Sequence, residues 1–243
     1  MIKEGTRIGN VMKVSLITYT KDPEKIVAAA VRQCYSPDSA AEMKDKLTEA
    51  EREKLIKMVV ATGHTSTIEH VSFTFSVEDV SRVLTHELVR HRIASYSQQS
   101  QRYINGKNFG YVTPPSITTN KEAFKLFDYT VYNLGMVYER LIEIGIPKED
   151  ARFILPNATD VKIVITMNAR SLFNFLSKRM CIRAQWEIRT MAYLMHAELM
   201  KVAPNIFKFA GPTCKTESMC WEGERNCGLP KKDKTIKLMS HVK

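Results

Sequence analysis

Arg90-His91-Arg92-Ile93-Ala94-Ser95-Tyr96-Ser97-Gln98-Gln99-Ser100-Gln101-Arg102-Tyr103 gathers cations, hydroxyls and amides into one run without a carboxylate. The acid-free interval extends from Leu88 to Lys121 and also holds Lys107. Planar guanidinium groups match phosphate oxygens two at a time, and the side chains of Ser95, Ser97, Gln98, Gln99, Ser100 and Gln101 can hydrogen-bond a polar heterocycle. The expected ligand is an anion carrying a polar ring, which describes a nucleotide. Composition alone leaves a solvated basic loop equally open, because charge runs usually lie on exposed faces.

Upstream of the run, Val71, Phe73, Phe75 and Val77 alternate with Ser72, Thr74 and Ser76, the period of a strand with one buried face. Asp79 is the expected cap of the next helix, whose Val80, Val83, Leu84 and Leu88 face the core and whose last turn carries Glu87, Arg90 and His91. Gly63-His64 to His70 forms a polar hinge before the strand. The His64–His70 spacing is not a metalloprotease pattern and no third ligand accompanies it, so no metal is assigned there. Nearer the N-terminus, Val11 to Thr20 reads as a buried strand, and Asp22-Pro23 as the cap and start of a helix ending at Cys34. Thr48 to Glu51 is a capping box for a helix that Gly63 stops.

Downstream, Gly106, Gly110, Pro114 and Pro115 mark a long irregular connection. Phe124, Phe127, Val131, Leu134, Val137, Tyr138 and Leu141 then recur at helical spacing over 121–145, as a core face or subunit interface. Pro147 opens a short helix containing Asp150 and Arg152. Val161 to Met167 alternates as a second strand, and Asn168 can cap a helix that sets Arg170, Asn174 and Arg179 on successive turns, within reach of a common ligand. Solvated arginines are the alternative there. Arg183 to Val202 reads as a scaffold helix packed through Trp186, Ile188, Met191, Leu194, Met195 and Leu199.

Arg90-His91-Arg92, seven residues, then Ser100 and Arg102 resembles the signature of the flavin-dependent thymidylate synthases. The blocks Gly63-His64 to His70 and Asn168 to Arg179 resemble flanking motifs of the same family. That resemblance implies an α+β fold, with helices packed on a mainly antiparallel sheet, and subunits assembled as a homotetramer with shared active sites. It also implies conversion of dUMP to dTMP with methylenetetrahydrofolate as methylene donor and NADPH as reductant through FAD. The flavin is then held without a Gly-x-Gly-x-x-Gly fingerprint, which the chain lacks. His64, Ser66, Arg90, His91, Arg92, Gln98, Asn168, Arg170 and Asn174 are the implied flavin contacts. Glu87, Arg90, Gln98, Gln99, Ser100, Gln101, Arg102, Arg152 and Arg179 are the implied nucleotide contacts, with Arg179 catalytic. Two positions depart from the family pattern: Glu87, where relatives commonly carry Gln, and Arg183, near which many carry His. The effect of either change is left open.

The 243 residues are 44% hydrophobic and 26% charged, which suits a globular protein with a substantial core. A net charge of +10 and a pI near 9.3 favour anionic partners. A basic nucleic-acid-binding protein, whose affinity would fall steeply with salt and need no flavin, is the main rival class. A nucleotide-binding module without turnover is the other. The expectation is neither nucleic acid nor membrane as partner, since no stretch approaches the roughly 18 apolar residues of a span, and a cytoplasmic location. Five cysteines do not suggest a disulfide framework. Residues 1–212 are read as one catalytic flavin- and nucleotide-binding domain and 213–243 as a Cys- and Lys-containing extension. Cys181, Cys214, Cys220 and Cys227 could supply four zinc ligands, but the C-x5-C-x6-C spacing is not a usual knuckle, so they are read as free thiols and no metal is assigned. With no cysteine near the Arg90 loop, activation of uracil by a thiolate is not expected, and fixed positive charge must take its place.

Overall fold

The structure is a computed structural model and describes residues 11–102 and 110–239. The readings of Tyr103, Gly106, Lys107 and residues 240–243 lie outside them. The strands are β1 (Lys13–Tyr19), β2 (Ser72–Ser81), β3 (Ser95–Gln98) and β4 (Asp160–Asn168). The principal helices are α1 (Pro23–Gln33), α2 (Glu49–Ala61), α3 (Arg82–Leu88), α4 (Lys121–Glu143), α5 (Ala169–Arg179) and α6 (Trp186–Val202). The strands form an antiparallel sheet in the order β1-β2-β4-β3, so the expected α+β class is the one adopted. Among the described residues no helix is long and apolar enough to cross a membrane.

The chain divides into two compact units, one built chiefly from Ser76–Arg90 and Tyr96–Val164, the other from Val14–Phe75, His91–Ser95 and Ile165–Lys243. In the first, Val77, Val80, Leu84, Leu88, Val131, Tyr138, Val161 and Ile163 are buried. The cap of α3 is Ser81, whose Oγ accepts from the Leu84 N–H at 3.1 Å. Asp79 instead lies inside β2 with φ 59°, a left-handed conformation that aspartate tolerates better than most residues. α3 ends at Leu88, so Glu87 is in its last turn while Arg90 and His91 lie beyond it. The Tyr96 hydroxyl donates to the Leu88 carbonyl at 3.1 Å and closes that turn.

Where the chain returns at Gly110, the Asp160 N–H donates to the Gly110 carbonyl at 3.0 Å and the Val112 N–H to the Ala158 carbonyl at 2.8 Å. The Asp160 carboxylate occupies the space a Cβ at Gly110 would need, so a larger residue there would have to displace that side chain. Asn120 caps α4 through the Glu122 and Ala123 N–H groups, both at 3.0 Å.

In the second unit, β1 is the outermost strand, and Ile17 and Tyr19 are 55% and 42% exposed. It is therefore not the buried strand expected, because only one of its edges meets a neighbour. Asp22 adopts φ 48° and makes no side-chain cap, so Pro23 at the first helical position begins α1. Thr48 and Glu51 form the expected capping box on α2. α6 starts at Trp186, with the Gln185 side chain accepting from the Glu187 and Ile188 N–H groups, and exposed Arg183 lies in the turn before it. Val27, Val31, Ile56, Phe73, Phe75, Leu172, Phe175 and Met191 fill this core, with Phe207 edge-on to Phe73.

Candidate functional site

In the first unit Arg102 and Arg152 meet at Glu149, one through its carboxylate and the other through its main-chain carbonyl, and Arg82 lies close enough to feel the charge of Arg152. Pro147 precedes the single turn Lys148–Ala151, after which Arg152 folds back so that its Nε donates to the Glu149 carbonyl at 3.0 Å. The Glu149 carboxylate pairs with Arg102 Nη2 at 2.7 Å. Arg82, half-buried in the first turn of α3, has its pKa pushed below the usual arginine value by burial and then by the charge of Arg152. No carboxylate pairs with Arg82 among the described residues. Cations crowded in this way are satisfied by an anion with several acceptor oxygens, as a phosphate has.

The loop beside these groups is pinned to the sheet by the Gln99 N–H, which donates to the Lys162 carbonyl at 2.9 Å. Ser100 Oγ accepts from the Arg102 backbone N–H at 3.3 Å, which fixes the hydroxyl against the main chain of Arg102. The Gln98 Nε2 is buried with no acceptor among the described residues. Such a donor costs roughly 1–3 kcal/mol unless a ligand completes it. Glu87 and Gln101 are half-buried and Arg90 is exposed. Nearby in sequence, the Tyr111 hydroxyl is hydrogen-bonded to Asp128, and burial followed by that carboxylate pushes its pKa up to about 12.

In the second unit Asn168 ends β4 and caps α5, its Oδ1 accepting from the Ser171 N–H at 2.8 Å. The Ser171 hydroxyl donates to the Ile93 carbonyl, and His91 Nε2 lies 2.9 Å from the same Oγ. With the hydroxyl proton committed to Ile93, the imidazole must be the donor, so the neutral ring carries its proton on Nε2 and leaves Nδ1 as an acceptor. Burial lowers the His91 pKa; the hydrogen bond to Ser171 opposes this, and the charges of Arg179 and Lys178 add to it. The ring also stands edge-on to Phe175, with centroids 5.6 Å apart.

One turn before Asn174 on α5, Arg170 forms an ion pair with Glu69. That pair ties α5 to the Thr65–His70 turn, which carries Ser66 and follows His64. His64, Ser66, Arg92 and Asn174 are exposed, and Arg179 is half-buried near His91. The three residues expected to meet one ligand therefore have distinct settings, Arg170 against Glu69 and Arg179 beside His91, with Asn174 open to solvent.

Sequence reasoning missed Arg82, Glu149 and Ser171 as parts of these clusters. Assigning the helix start to Asp79 left Arg82 as an ordinary surface charge, and only the true cap at Ser81 places it in the first turn. Ser171 was legible as the third residue after a capping asparagine, the position whose N–H a cap receives, but its hydroxyl acts across 78 residues of chain. Glu149 gave no signal, since its partner Arg102 is remote in sequence.

The protein family described as thymidylate synthase complementing protein matches residues 15–205. The flavin-dependent thymidylate synthase of Clostridium tetani is 46% identical, over 93% of this chain and 97% of its own length. That of Geobacter sulfurreducens is 45% identical, over 89% and 94%. Among solved structures, the UMP/dUMP methylase PolB of Streptomyces cacaoi bound with 5-Br dUMP superposes with a TM-score of 0.70 at 25% identity, covering 82% of this chain and 94% of that one.

Proposed function

Since the chain belongs to the flavin-dependent thymidylate synthases, a family of methyl-transferring enzymes, we propose that it converts dUMP to dTMP, drawing the methylene group from methylenetetrahydrofolate and reducing equivalents from NADPH through bound FAD. The observation that carries this reading is the crowding of Arg82 and Arg152, with Arg102 and Arg152 both anchored at Glu149, which suits the nucleotide phosphate. The methylase fold found with a brominated dUMP supports the same choice of substrate.

Ser100, held beside Arg102, orients the nucleotide, and the Gln98 amide donates to the acceptor it otherwise lacks. Glu87, Arg90, Gln99 and Gln101 complete the nucleotide contacts. Arg179 stabilises negative charge spreading over the pyrimidine, an effect that strengthens as water is excluded. No cysteine lies between Cys34 and Cys181, so the ring is activated without a thiolate adduct.

The exposed donors and the neutral imidazole around Asn168 and Glu69 suit a polar ring and its diphosphate. His64, Ser66, Arg90, His91, Arg92, Gln98, Asn168, Arg170 and Asn174 would hold the flavin, which when bound supplies the hydride that completes the methyl group. Subunits assemble as a homotetramer in the cytoplasm, with active sites shared between chains.

The test is dTMP formation from dUMP, methylenetetrahydrofolate and NADPH by the purified chain, with loss of activity on stripping FAD and recovery on restoring it. Methylation undiminished without flavin, or a protein–pyrimidine adduct trapped in turnover, would overturn the reading. Ser100→Ala should weaken dUMP binding and retain turnover; abolished turnover at normal affinity would make Ser100 a nucleophile instead.

A further inference from the structure

The last part of the second unit is ordered without a core large enough to account for it. From Thr213 onward its elements are Thr213–Thr216, Met219–Cys220, Gly223–Arg225, Leu229–Lys232 and Lys237–Leu238, none longer than four residues. Met219–Cys220 and Lys237–Leu238 pair in parallel, the Lys237 N–H donating to the Ser218 carbonyl and the Met239 N–H to the Cys220 carbonyl at 2.8 and 2.9 Å. Cys220, Pro230 and Ile236 are the buried side chains between those elements, while Trp221 and Leu238 are 52% and 44% exposed. Segments this small ordinarily need a cross-link or a metal to stay folded.

Four of the five cysteines surround this segment. Cys181 comes from the turn after α5, Cys214 from Thr213–Thr216, Cys220 from the first short strand and Cys227 from the turn closed by Gly228. Thr213–Thr216 packs against Met219–Cys220, which brings the Cys214 and Cys220 segments together, and Cys181 lies within electrostatic reach of Cys220 and Cys227, as Cys214 does of all three others. The turns that present them are specific: Ser218, two residues before Cys220, has φ 52°, and Gly228, directly after Cys227, has φ 86° and donates its N–H to Asn226 Oδ1 at 2.8 Å. The remaining thiol, Cys34, is exposed just past the end of α1 and donates to the Ala30 carbonyl. All five are unbridged.

We propose that Cys181, Cys214, Cys220 and Cys227 together bind one structural Zn2+ that staples residues 213–239 to the end of α5. The site departs from the reading of these residues as free thiols, which rested on a C-x5-C-x6-C spacing unlike that of a usual knuckle. Among the described residues no three such side chains are yet gathered at ligating distance, so the thiols close in to zinc–sulfur distances of about 2.3 Å on binding. Each thiol that ligates gives its proton to the buffer, up to four per ion, and the dication offsets the repulsion among the thiolates that remain.

The experiment uses the full chain, produced without a histidine tag in zinc-supplemented medium, reduced, and dialysed against a weak chelator. Elemental analysis is expected to find about one zinc per chain, with thiolate-to-metal charge-transfer absorption when Co2+ replaces it. Cys214→Ser and Cys220→Ser should each lose the metal and lower the melting temperature, whereas Cys34→Ser keeps both. Zinc well below one per chain with no cobalt charge transfer, or undiminished zinc in both Cys214→Ser and Cys220→Ser, overturns the proposal. So does finding the four thiols paired as two disulfides in the metal-free protein. If the variants do not fold, the cobalt spectrum of the unmodified chain decides.

Discussion

At the scale of single residues, the chemistry rests on where charge is crowded. Arg82→Gln and Arg152→Gln should each raise the KM for dUMP roughly 10- to 100-fold, since a charge-assisted hydrogen bond contributes about 1.5–3 kcal/mol. Flavin affinity, measured by fluorescence titration, should remain as in the parent chain; an unchanged KM would remove these guanidinium groups from the phosphate. His91 makes the chain sensitive to acid. Its folded pKa is below the ordinary histidine value of 6.5, so the unfolded chain binds the proton more readily. Stability is therefore full above that value and declines as pH falls from it toward the lower folded pKa. Urea midpoints measured down through this window should fall less for His91→Gln than for the parent protein. The basic loop and most of its contacts were legible because types of side chain announce chemistry; Glu149 and Ser171 were not, because their partners are set by tertiary approach.

Among the elements, Asn168 does two things that substitution can separate. It caps α5 through Oδ1, a contribution of about 1 kcal/mol, and as a proposed flavin contact it offers an amide. Asn168→Asp keeps an acceptor for the Ser171 N–H, so its melting temperature should match the parent's while flavin affinity falls. Asn168→Ala should lose both. Equal flavin affinity in Asn168→Asp and the parent would restrict the residue to capping. Alternation in β2 and β4 and the box at Thr48 could be read directly, since both are local patterns. The errors at β1, Asp22 and Asp79 have one cause: a sheet edge and a left-handed backbone are decided by neighbours, and alternation or a capping side chain looks the same without them.

For the molecule as a whole, α4 carries Leu126, Tyr129, Tyr132 and Met136 at spacings of three and four residues, 68%, 67%, 65% and 50% exposed. A stripe of this kind suits burial between subunits. Replacing Leu126 and Tyr129 together by Lys should shift the proposed tetramer toward smaller species in sedimentation; an unaltered distribution would place the contact elsewhere. Charge is the other property of this scale. A surplus of ten positive charges attracts every anion in solution, inorganic ones included. Glu149 sits against Arg102 with both side chains half exposed, a setting in which an ion pair contributes only about 0–1 kcal/mol. A nucleotide making many contacts displaces that weak internal tenant easily, whereas free phosphate or sulfate has little to offer beyond the exchange. The carboxylate thus works as a selectivity filter, and Glu149→Gln should leave the enzyme open to inhibition by sulfate that the parent tolerates.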